Sequence, residues 1–140
     1  MKKIMLSILL MLGLFSTSAV AGSKIHKVVI QVSTNNPVAQ KIALNNSVNL
    51  QKLYGMDNVI IEIVAYGPGL SLLTAKNKQS KRVTSLAQSD IKFSACMNTM
   101  HKFKRKHGYF PKLSEGVGKV KSGVARIVEL QEQGYSYIRP

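Results

Sequence analysis

The sequence holds a single cysteine, Cys96, and only six acidic side chains against 20 lysines and arginines. One thiol excludes an internal disulfide, even in an oxidising compartment. Cys96, His101 and His107 follow a Cys-x4-His-x5-His spacing that matches no standard zinc pattern, and no carboxylate cluster is available to complete one. No metal and no cofactor are expected. The phosphate-binding Gly-Lys-Ser/Thr loop, the Gly-x-Ser-x-Gly elbow and His-Glu-x-x-His are all missing, which removes the usual nucleotide-dependent and hydrolytic signatures. Gly67-Pro68-Gly69 is not a dinucleotide fingerprint: Leu72 stands where its third glycine belongs, and Pro68 lacks an N–H.

Long apolar runs are also scarce. The longest lies at the N-terminus, where Met1-Lys2-Lys3 precedes an almost unbroken run from Ile4 to Phe15, closed by Ala19-Val20-Ala21. Those 12 residues fall short of the ~20 that cross a bilayer. The order of positive, apolar and small residues is that of a secretory signal peptide. We expect residues 1–21 to be cleaved and residues 22–140 to form one domain, exported to the periplasm or beyond and not membrane-spanning. No cysteine at the cleavage site offers a lipid anchor. Removing 21 residues from 140 leaves 119, enough for one ordinary core. Loss of Lys2 and Lys3 takes the formal net charge from +14 to +12. Such a field attracts anionic lipid, envelope polysaccharide or anionic solutes, with nucleic acid the less expected partner of an exported chain.

What remains reads as alternating strands and helices. Val28 to Val32 is a β-branched run, and Asn36-Pro37 then supplies an N-cap and a first helical proline. Ala39, Ile42, Ala43, Asn46, Leu50 and Leu53 mark an inward stripe on a helix ending at Gly55. Val59 to Ala65 is a second strand. After the Tyr66-Gly67-Pro68-Gly69 loop come a short helix from Leu70 to Ala75 and a longer one near Lys81 to Gln88, carrying Val83, Leu86 and Ala87 inward. Ile91 to Ala95 is the third strand, and a helix from Met97 to about Lys106 follows Cys96. Gly116 to Lys121 is a short fourth strand. Ser122 caps a helix to Gln133, with Val124, Ile127 and Val128 inward, and Tyr135 to Arg139 is the last strand. This alternation predicts a three-layer α/β/α domain, flavodoxin-like in appearance, on a mostly parallel sheet of about five strands, with strand order open.

Ligands in such sheets gather at the carboxyl ends of strands. Cys96 and the loop Tyr66, Gly67, Pro68 and Gly69 lie there, with Asn98 just inside the following helix. A helix N-terminus favours the thiolate, and Lys102, Lys104, Arg105 and Lys106 would add positive potential if they are near. The expectation is an accessible thiol in a polarised crevice. The opposing reading is a free cysteine buried as a small hydrophobe. Asn46 either reaches the site or caps a buried backbone group.

Three blocks resemble a known family: AYGPGL at Ala65 to Leu70, FSACMNTM at Phe93 to Met100, and VKSGVARIVELQEQGYSYIRP at Val120 to Pro140. Together they resemble the DsrE/DsrF-like family of sulfur-relay and related proteins, in its exported branch. The resemblance implies that Cys96 occupies the position whose persulfide passes between donor and acceptor proteins, and that the chain assembles as a trimer or hexamer. It departs from the cytoplasmic relay members in being exported. The leading expectation is a periplasmic sulfur carrier or sulfurtransferase-like protein acting through Cys96. The alternative is a binding or assembly protein whose basic surface engages anionic envelope components.

Overall fold

The computed structural model describes residues 24–140. The expected signal peptide lies outside the described residues. Five strands form one parallel sheet in the order β4-β3-β2-β1-β5: β1 His26–Val32, β2 Val59–Ala65, β3 Ile91–Cys96, β4 Val117–Val120 and β5 Ser136–Ile138. β1, β2 and β3 are rich in β-branched and aromatic residues and are buried almost throughout, as central strands covered on both faces must be.

Among the described residues four α-helices accompany the sheet: α1 Pro37–Tyr54, α2 Ser80–Ala87, α3 Met97–His107 and α4 Gly123–Glu132. α1 starts where its sequence dictates. The Asn36 Oδ1 accepts the N–H groups of Val38 at 2.8 Å and Ala39 at 3.3 Å, and Pro37 takes the first helical position. α3 ends at Gly108, whose φ of 82° places it in the left-handed region. Between β2 and α2, Gly67–Leu73 winds into 3-10 turns, in place of the separate short helix expected from Leu70 to Ala75.

The two faces of the sheet are covered unequally. On one, Val28, Ile30, Ile61, Ile63, Ile91 and Phe93 pack against Ala43 and Leu44 of α1, Val83 of α2 and Met100 of α3. On the other, Val29 and Val64 meet only Ile127 and Leu130 of α4, flanked by Tyr66 and Tyr135. Among the described residues, α4 covers its face alone.

Two inward stripes differ from expectation. In α1 the buried residues are Gln40, Ala43, Leu44 and Ser47, while Ile42 and Leu53 are exposed. The helix is rotated because Gln40 donates to the Thr34 carbonyl at 3.0 Å and to the Ser71 Oγ at 2.8 Å, and the Ser47 hydroxyl donates to the Leu44 carbonyl. Buried polar groups with partners cost little, so the apolar pattern misplaces the face. In α4, Val124 and Val128 are exposed, and Arg126 turns inward instead.

Arg126 does so to reach Glu62, which is buried at the centre of β2. Its Nε donates to Oε1 at 2.9 Å and its Nη2 to Oε2 at 2.8 Å, the Ser94 hydroxyl donates to Oε1 at 2.6 Å, and Lys92 Nζ lies 3.3 Å from Oε2. This planar two-bond pairing ties α4 to the middle of the sheet. Ser94 and Cys96 project from the same face of β3, so the group that seats α4 also sets its first turn over the cysteine.

Candidate functional site at the β3–β4 crevice

Strand order, open in the sequence, decides where ligands have room. β3 and β4 are adjacent, with Cys96 paired in register with Val120. The helices that leave them diverge: Met100 of α3 packs on one face, Ile127 and Leu130 of α4 on the other. Adjacent strands whose following helices part to opposite faces open a crevice at their carboxyl ends, the topological switch point of a parallel sheet. Cys96, the last residue of β3, stands buried at that edge.

It is the N-cap of α3, with φ −71° and ψ 116°. As a thiol it makes no regular capping bond, so the first turn of the helix keeps its donors for a negative charge. Two helices contribute, because Gly123 is the first residue of α4. Burial pushes the Cys96 thiol up, but the Thr99 hydroxyl and the N–H groups of Thr99, Gly123 and Asn98 outweigh it and hold the thiol below the ordinary cysteine value. The Asn98 N–H contributes least and is shared with the Lys121 carbonyl at 3.3 Å.

The loop at Tyr66 to Gly69 joins this arrangement by two contacts. The Gly67 N–H donates to the Thr99 Oγ1 at 2.9 Å, occupying a lone pair and leaving the hydroxyl hydrogen for the sulfur. Tyr66 lies against the start of α4: a Cβ at Gly123 would come within 2.9 Å of its side chain. Gly69 is fixed by close approach, since a Cβ there would overlap the Val32 carbonyl. Pro68 is exposed at the outer side of the turn.

Asn98 enters through its backbone, its side chain being exposed. Asn46 is not brought here. It lies nine residues beyond Pro37, roughly 13 Å down a helix that starts at this edge of the sheet. The expected basic cluster is also elsewhere: Lys102 to Lys106 occupy later turns of α3, and the groups that lower the thiol are neutral donors. The imidazoles are engaged away from the sulfur, His26 stacked on Tyr54, His101 against Phe110 and His107 against Phe103. Cys96 is 4% exposed, where an accessible thiol was expected. Its enclosure is polar on one side, which distinguishes it from a cysteine sealed in hydrocarbon.

Thr99 and Gly123 are the residues that sequence reasoning missed. Thr99 carried a readable signal, since the third residue after an N-cap is the one whose side chain reaches back to it. Gly123 carried none, because its role depends on β4 lying beside β3.

Comparison with known proteins agrees with this fold. A family model described as DsrE/DsrF-like matches residues 26–140. The chain belongs to the DsrE/DsrF-like family. A solved structure of MTH1491, a protein of unknown function from Methanobacterium thermoautotrophicum, superposes on this DsrE/DsrF-like chain with a TM-score of 0.74 at 32% identity. The match covers 82% of this chain and 99% of that one. A search of curated proteins finds no match. Family and fold are thereby established, and with them a relation to sulfur-relay proteins.

Proposed function

We propose that this DsrE/DsrF-like protein is an exported, thiol-based sulfur carrier that holds one sulfane sulfur on Cys96. The observation that carries the reading is the cysteine itself, at the carboxyl end of β3 beside the switch point, with its thiolate favoured by donors from two helix N-termini. The chemistry is two displacements. Cys96 thiolate attacks the outer sulfur of a donor persulfide, forming a new S–S bond as the donor's S–S bond breaks and its thiolate departs. An acceptor thiolate then attacks the outer sulfur on Cys96, and the cysteine thiolate is restored. No electron is gained or lost overall, and no cofactor takes part.

The reading takes the carrier as a periplasmic homo-oligomer, trimer or hexamer. Support for assembly comes from the face that α4 covers alone, where Ile60, Val124, Val128 and Tyr137 are exposed. Mass measurement after treatment with a sulfane sulfur donor is the test. Wild type gains one sulfur atom and Cys96→Ser gains none; equal masses for the two sink the carrier reading.

One observation favours a second reading, a binding or assembly protein in which Cys96 is only packed: the residue is 4% exposed. A folded protein whose thiol stays silent toward alkylating reagents at neutral pH decides for it.

A further inference from the structure

The positive charge absent from the thiol site is concentrated at the other end of α3. Residues 97–112 contain no Asp or Glu, and the last turn of the helix carries Lys104, Arg105, Lys106 and His107. Past the left-handed Gly108, the chain presents Tyr109 and Phe110, 55% and 39% exposed. These rings form a built cluster. Phe103 meets Tyr109 edge-on at 5.6 Å, Phe110 meets His101 edge-on at 5.2 Å, and Lys104 Nζ sits 4.7 Å over the Phe110 ring. Beneath them a cavity of about 210 Å³ is lined by Phe103, Tyr109, Phe110 and Pro111 together with Lys76 and Lys112.

We propose that this surface, the last turns of α3 with Tyr109 and Phe110, docks on an anionic lipid bilayer. Lysine and arginine supply attraction to acidic headgroups, Tyr109 supplies an amphipathic ring of the kind that settles at a membrane interface, and Phe110 supplies an apolar one to bury beside it. The ring geometry disfavours single-stranded nucleic acid, which needs open ring faces in succession, because Lys104 already covers Phe110, His107 lies tilted over Phe103 at 4.3 Å, and the pairs Phe103–Tyr109 and His101–Phe110 meet edge to face. The surface lies roughly 16 Å from Cys96 along α3, and its proposal does not rest on the sulfur-carrier reading.

The chain has no tryptophan, so Phe110→Trp installs a single fluorescent reporter in the surface itself. With vesicles of phosphatidylcholine containing phosphatidylglycerol, its emission shifts to the blue and is quenched by brominated acyl chains; with phosphatidylcholine alone it does not move. Lys104→Glu with Arg105→Glu lowers partitioning by tenfold or more, since each basic residue is worth about fivefold near an acidic surface. Lys41→Glu with Lys52→Glu on α1, an equal change of charge, costs far less. All variants share one N-terminus, so a retained leader affects them alike. Sedimentation of Tyr109→Ser with the same vesicles reads the loss without the indole. The proposal is overturned if the emission is unmoved by anionic vesicles, if heparin, an oligonucleotide or an acidic peptide moves it equally, or if the α1 control loses as much.

Discussion

Replacing Thr99 by valine removes one hydroxyl from beside Cys96 and leaves the side chain's shape nearly unchanged. A hydrogen bond to a charged group contributes about 1.5–3 kcal/mol. Thr99 is only half-buried, so the lower end applies, and 1.36 kcal/mol corresponds to a tenfold change in ionisation. The thiolate-to-thiol ratio at a fixed pH below the midpoint therefore falls about tenfold in Thr99→Val. Alkylation falls less, because a more basic thiolate is intrinsically more nucleophilic: a Brønsted slope near 0.4–0.5 returns about half of the loss on a logarithmic scale, leaving a rate drop of about threefold. The decisive assay is the thiolate absorbance titrated against pH, with alkylation rates measured in parallel. Thr99→Ser, which keeps the hydroxyl, titrates like wild type. If Thr99→Val and wild type share one midpoint, the hydroxyl does not donate to the sulfur and the account of the lowered thiol fails.

Three further outcomes test how the site is held. Gly69→Ala sets a methyl group into the Val32 carbonyl, a backbone obstacle that cannot rotate aside, and is expected to cost about 3 kcal/mol or more in urea unfolding; a stability within about 0.5 kcal/mol of wild type contradicts the close approach. Arg126→Leu leaves the buried Glu62 with only Ser94 and the exposed Lys92 as partners and costs about 3 kcal/mol, whereas Glu62→Leu combined with Arg126→Leu costs clearly less, and equal losses count against a paired charge. Burial pushes the Glu62 carboxyl up, while Arg126, Ser94 and Lys92 bring it below the usual range. The folded protein thus binds fewer protons there than the unfolded chain: the stabilisation is complete above the ordinary glutamate value of about 4.3 and is lost as pH falls through the depressed one, a slope that Glu62→Gln removes.

The elements were legible where one signal sufficed. β1, β2 and β3 announce themselves by β-branched runs, α1 by Asn36-Pro37, and α3 by the glycine at its end. Facing was harder, since Gln40 and Ser47 are buried because specific partners satisfy them, and those partners are distant or local backbone atoms that periodicity cannot see. Arg126 was hidden for the same reason: it reads as a solvent-facing residue until Glu62, 64 positions away, is found beside it. Cys96 and the Tyr66 to Gly69 loop could be assigned to one edge from the order of strands and helices alone. That Gly123 joins them follows only from β4 pairing with β3, a long-range choice on which local propensity is silent.

A sulfur this enclosed cannot meet a bulky partner unless something withdraws, and the first turn of α4 is part of what lies over it. Lifting that turn would take the Gly123 N–H with it, so the moment of greatest access is also a moment of weaker acidity. The arrangement with that turn in place is the one that favours ionisation, and Arg126 holds the helix bearing that N–H to the sheet.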